Sequence, residues 1–98
     1  MIPASFSLTT TARGTLGVSG ALTFATAANA LASARAELDR SGQTTLDLSG
    51  VTHADSAGLA TLLALLAHAR TKGKTLAVTH TPQGLQALAR VSGVEAFL

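Results

Sequence analysis

Leu46-Asp47-Leu48-Ser49-Gly50-Val51-Thr52-His53-Ala54-Asp55-Ser56-Ala57-Gly58-Leu59 is the stretch on which the reading of this chain turns. It opens with the apolar–polar alternation of a half-buried strand and passes through a short polar segment. From Ser56 to Thr71 a run of Leu and Ala continues at helical spacing. The pattern predicts a strand from Thr44 to Leu48, a tight polar loop, and a helix that opens at a serine. Asp55 or Ser56 occupies the N-cap position, where a short oxygen-bearing side chain accepts a bond from the first unpaired helical N–H groups. A hydroxyl at the positive end of a helix dipole is also a place where an anion can dock or be added.

Outward from this stretch the elements alternate. Phe6-Ser7-Leu8-Thr9-Thr10 and Thr15-Leu16-Gly17-Val18-Ser19 flank Arg13-Gly14 and form a hairpin, with Gly20 closing the second strand. A helix runs from Thr23 or Thr26 to Asp39, with Ala27, Leu31, Ala34 and Leu38 on one stripe, and Ser41-Gly42 ends it. After the second helix, Lys72-Gly73-Lys74 supplies a terminating glycine and cations suited to a negative helix end. Thr75 to His80 is a further strand. Thr81-Pro82 starts a helix that presents Leu85, Leu88 and Ala89 inward and stops at Ser92-Gly93, and Val94 to Leu98 is a short strand or a tail. Each strand has one apolar and one polar face, so the expected α/β architecture is two-layered: helices on one face, the other face wet. Strand-helix-strand succession implies parallel pairs after the hairpin.

Composition narrows the function classes. The chain has 98 residues, expected to form one domain over 1–98. It has no cysteine, which removes disulfides and Cys-based zinc sites and agrees with a reducing compartment. Met1-Ile2-Pro3-Ala4-Ser5 does not have the pattern of a signal peptide, and no stretch nears the roughly 20 apolar residues of a membrane span. Only 12% of residues are charged, about half the usual share. The net charge of +2 is dispersed, and three Phe with no Trp or Tyr give no stacking platform, so nucleic acid is not the expected partner. So little charge suggests a surface covered by another protein.

On the helix that opens at Ser56, successive residues are 100° apart. Leu59, Leu62, Leu63, Leu66 and Ala69 then form the core stripe, while Ala57, Ala60, Thr61, Ala64 and His68, with Leu65 at the border, form the outer face. No Lys, Arg, Asp or Glu lies between Ser56 and Ala69, so this face is expected to meet a partner. With the loop residues Thr52, His53 and Asp55, and with Ser56 itself, it makes up the expected partner-binding surface.

Other chemistry finds little support. Ser56, His53 or His80, and Asp55 or Asp47 spell a hydrolytic triad, but Ala54-Asp55-Ser56-Ala57-Gly58 is not a nucleophile elbow and no oxyanion loop accompanies it. The three histidines lie on separate elements without metal-ligand spacing. No phosphate-cradling glycine loop with a lysine is present. Neither catalysis nor a cofactor or metal is expected.

Leu46-Asp47-Leu48-Ser49-Gly50-Val51 followed by Asp55-Ser56-Ala57-Gly58-Leu59 resembles the signature of STAS domains, the sulfate-transporter and anti-sigma-factor-antagonist module. The similarity extends to the hairpin, Gly20, Gly73 and Val91-Ser92-Gly93-Val94. It implies a mixed, mostly parallel sheet with helices on one side. It also implies a role as one of two kinds of binding protein, or as another adaptor of the same family. In the antagonists the residue matching Ser56 is phosphorylated by an anti-sigma kinase. In cytoplasmic accessory subunits of a phospholipid ABC transporter the matching residue meets the ATPase, and the domain sits at the inner membrane through that partner. Where many members carry Gly-Glu-Leu-Asp, this chain has Gly20-Ala21-Leu22-Thr23, which lacks the acid near the phosphorylated serine and favours the transporter role.

Overall fold

The computed structural model describes residues 5–98; the Met1–Ala4 segment considered above for targeting lies outside the described residues. Strands β1 (Phe6–Ala12) and β2 (Thr15–Leu22) form the hairpin, followed by α1 (Ala27–Ser41), β3 (Thr45–Ala54), α2 (Ser56–Thr71), β4 (Ala77–Thr79) and α3 (Gln83–Val91). A single 3₁₀ turn, Glu95–Phe97, takes the place of the expected final strand or tail. Among the described residues the strands form one sheet in the order β1-β2-β3-β4, with β1 antiparallel to β2 and the other pairs parallel.

The two βαβ crossovers leave α1 and α2 packed against each other in one layer, as connections of the same hand between successive neighbouring strands require. Leu16, Val18, Leu46 and Leu48 point into that layer and are buried with Leu62 and Leu85. On the opposite face Ser7 and Ser19 share a hydrogen bond, and Asp47 receives the Ser49 N–H. The two-layer expectation holds.

β3 departs most from the sequence reading. Its ten residues run through Ser49–Ala54, the segment expected as a loop. The pairing with β2 explains this: β3 carries an extra residue between Asp47 and Gly50 and another between Val51 and His53. Such bulges break the period of two, so the alternation that marks a strand disappears while the ladder continues. Gly50 serves this ladder rather than a turn, because a Cβ there would meet the Ser19 Cβ at 2.6 Å. β4 is shorter than expected, and α3 is capped at Pro82 rather than Thr81. α1 ends as expected, with Gly42 in the left-handed region at φ 67°.

α2 is also turned about its axis. Its buried residues are Gly58, Leu59, Thr61, Leu62, Leu65 and Ala69, an arc rotated by about 60° from the expected stripe. Thr61, 4% exposed, donates its hydroxyl to the Ala57 carbonyl, and Leu65 is 3% exposed; both belong to the core, not to the outer face. Leu63 and Leu66, expected inside, are half-buried. The helix is apolar around most of its circumference, so packing between α1 and α3 selects the inward side and periodicity does not.

Close approach fixes where α2 begins. A Cβ on Gly58 would stand 2.0 Å from the Leu22 carbonyl oxygen at the end of β2. Gly58→Ala must therefore push the first turn of α2 away from the sheet. We expect it to destabilise the fold by about 2 kcal/mol or more, which lowers the melting temperature by roughly 8–16 °C in a domain of this size. Thermal unfolding followed by circular dichroism measures it.

Candidate docking surface at the start of the second helix

Asp55 organises this end of the molecule. Its backbone is extended, which frees the carboxylate to turn back: Oδ1 accepts the Gly58 N–H at 3.1 Å and Oδ2 accepts the Phe24 N–H at 3.1 Å. The choice between Asp55 and Ser56 as N-cap is thus resolved in favour of Asp55. One carboxylate caps α2 and ties the β2–α1 loop to it. Its carboxyl is held below the usual value near 3.8, first by the Phe24 N–H and then by those of Gly58 and Ala57, against the opposing effect of desolvation. The loop is closed from the other side by Thr26, whose buried hydroxyl accepts the Thr23 N–H and donates to the Ala21 carbonyl at 2.8 Å.

With the cap supplied by its neighbour, Ser56 stands exposed at the first helical position, its hydroxyl free of that duty. Thr52 and His53 are exposed at the end of β3; the Thr52 hydroxyl lies 3.3 Å from the Gly20 carbonyl and 3.0 Å from His53 Nδ1. Along α2, Ala60 is exposed and Ala57 and Ala64 are half-buried, and Leu63 and Ala67 extend the same outward strip. The structure therefore brings Thr52, His53, Asp55, Ser56, Ala57, Ala60 and Ala64 together and removes Thr61 and Leu65. His68 falls at the α1 border, half-buried, with Nε2 2.8 Å from Asp39 Oδ1. That bond is the first cause of the lowered Asp39 carboxyl.

Phe24 was not singled out from the sequence, yet it is 85% exposed beside this site. The available signal was an aromatic residue in a chain with only three, placed directly after a strand ending. Between the Thr23 loop, the end of β3 and the start of α3 lies a cleft of about 510 Å³ bordered by Val51, His53, Asp55, Pro82 and Leu85. It sits at the carboxyl end of a parallel strand, where open α/β sheets present their binding sites. Asp55 is committed to backbone N–H groups, His53 lies against Thr52 and His80 against Asp47 at 2.9 Å, and among the described residues no hydrogen bond joins Ser56 to a histidine.

The chain thus presents a mixed sheet covered on one side by a helical layer, with an exposed serine directly after the Asp55 cap of α2. The fold is similar to "Structure of the Anti-Sigma Factor Antagonist SpoIIAA in its Unphosphorylated Form", with a TM-score of 0.71, 15% identity and coverage of 95% of this chain and 84% of that one. It is similar too to "Structure of the Bacillus Cell Fate Determinant SpoIIAA in the Phosphorylated Form", with a TM-score of 0.64, 16% identity and coverage of 95% and 87%. At these identities the likeness is one of fold. A family model described as "Mlab, STAS domain" matches residues 8–98, and the chain belongs to that family. No curated protein matches it. Among the described residues no helix is long and apolar enough to cross a membrane.

The clamp at Asp55 has a pH signature. A carboxyl whose folded-state value lies below its unfolded value stabilises the fold above the unfolded value, and that contribution is lost as pH falls through the folded one. Asp55→Asn retains a capping oxygen but removes the charge. Urea titrations between about pH 5 and pH 2 should therefore show a shallower loss of stability in the variant than in the parent chain. Asp55→Ala should cost about 1 kcal/mol or more at neutral pH, since both N–H groups lose their acceptor.

Proposed function

We propose that this chain is a non-enzymatic docking subunit of an ABC-type phospholipid transport system that maintains outer-membrane lipid asymmetry. Its partner is the ATPase subunit, which it meets on the cytoplasmic side of the inner membrane within a permease complex. The observation that carries the reading is the uncharged strip of α2 from Ser56 through Ala60 and Ala64, flanked by an exposed phenylalanine. Small side chains let a partner's backbone come close, while Phe24 offers the large apolar anchor on which interface energy concentrates. The family description as Mlab supports the same reading. Such a subunit acts by binding one conformation of the ATPase better than another, because only that difference moves an equilibrium.

A second reading has its own support. Ser56 is exposed and free of capping, and the fold is similar to an antagonist solved in unphosphorylated and phosphorylated forms. An antagonist switched by phosphorylation would gain about 1.5 to 2 negative charges at Ser56. Thr23 weighs against this reading, since it stands where the resemblance calls for an acid.

Co-purification with the ATPase separates the possibilities. Ala60→Glu and Phe24→Ser should each leave the circular dichroism spectrum intact and weaken capture by about thirtyfold, as loss of a hot spot worth about 2 kcal/mol requires. Undiminished capture in both places the interface elsewhere. Thr61→Glu should behave differently: it puts a charge in the core and lowers the melting temperature before any effect on binding can be read. Stoichiometric phosphoserine at Ser56 after incubation with an anti-sigma kinase and ATP would favour the second reading.

A further inference from the structure

A second concavity lies on the far half of α2. It is a groove of about 600 Å³ between α2 and the carboxyl-terminal turn, within the size range of small-molecule sites. Its walls are apolar: Leu63 and Leu66 from α2, Leu76 before β4, and Val94 and Phe97 from the last turn. Phe97 is 59% exposed, an unusual state for a phenylalanine with an apolar trough beside it. The polar groups on the lining are Arg70 and Thr75. Leu63 and Arg70 are seven residues apart on one helix, about 10 Å along its axis. The groove therefore has an apolar end and a cationic end.

The charge inventory makes that cation available. The chain contains five acidic side chains, and each has an internal partner: Glu37 with Arg40, Asp39 with His68, Asp47 with His80, Glu95 with Arg90, and Asp55 with two backbone N–H groups. Among the described residues no carboxylate pairs with Arg70. An anion supplied from outside would answer it, and an apolar tail attached to that anion would cover Phe97 and the leucines.

We infer that the groove between α2 and the carboxyl-terminal turn binds a single-chain amphiphile with an anionic head, the head on Arg70 and the tail along Leu63, Leu66 and Phe97. The groove adjoins, at Leu63 and Ala67, the strip that starts at Ser56, but its test uses the chain alone, without the ATPase, so failure of one reading is distinguishable from failure of the other. The head is a carboxylate or a phosphate, which share the chemistry a guanidinium recognises.

Decanoate and decyl phosphate, each below its micelle concentration, are titrated into the isotopically labelled chain and followed by NMR. The expected result is saturable shifts of the Leu63 and Leu66 methyls and the Phe97 ring with at least one of the two, and the tighter one identifies the head. Arg70→Gln, a surface change, should weaken binding about tenfold, as loss of a charge-assisted bond implies. Phe97→Ser should weaken it as well. Decyltrimethylammonium should not saturate the same signals. Absence of saturable shifts with both anions, equal binding of the cation, or full affinity in Arg70→Gln would overturn the inference. So would capture by phosphatidylglycerol vesicles without binding of either soluble anion.

Discussion

The structure depends on how tightly the first turn of α2 is held against the end of β2. Gly58 leaves room for the Leu22 carbonyl, and Asp55 converts that proximity into a clamp by accepting N–H groups from both sides of the junction. Everything at this end is positioned by it: Ser56 is lifted to the surface, the Thr23–Thr26 loop is fixed, and Phe24 is presented to solvent. Burying that phenylalanine elsewhere would stabilise the free domain by about 2 kcal/mol. Its exposure is a cost that a docking role explains.

Charge is distributed to the same end. Because each acidic side chain is engaged within the molecule, the described surface offers neutral strips rather than a mixed ionic coat. The strip at the start of α2 is small-chained and uncharged, suited to close contact between subunits. The far half of the same helix is apolar and ends at Arg70. One helix thus carries two surfaces of different chemistry on its outward side, while its inward side, through Thr61, Leu65 and His68, turns toward α1.

Much of this was legible in the sequence. The hairpin around Arg13-Gly14, the glycine that ends α1, the order of strands and helices and the one-sided layer all follow from alternation, caps and turn chemistry, and the STAS family follows from the Asp55–Leu59 motif. What escaped has physical reasons. The bulges of β3 erase its period, so the second half of the strand has the sequence pattern of a loop. α2 is apolar on nearly every side, so its rotation is decided by neighbours that a single helix cannot reveal, and Thr61 and Leu65, on the outer face by periodicity, lie within. Phe24 carries no periodic signal, and its exposure together with the proximity of its amide to Asp55 places it at the site.

The central claim is that the clamped end of α2, with Phe24 beside it, is the face a partner protein takes. Hydrogen–deuterium exchange on the chain alone and in complex with the ATPase tests it most directly. The account predicts slowed exchange confined to the 23–26 loop and to residues 52–64, with β1 unchanged. Protection on β1 and β2 with no change around Phe24 and Ser56 would contradict it.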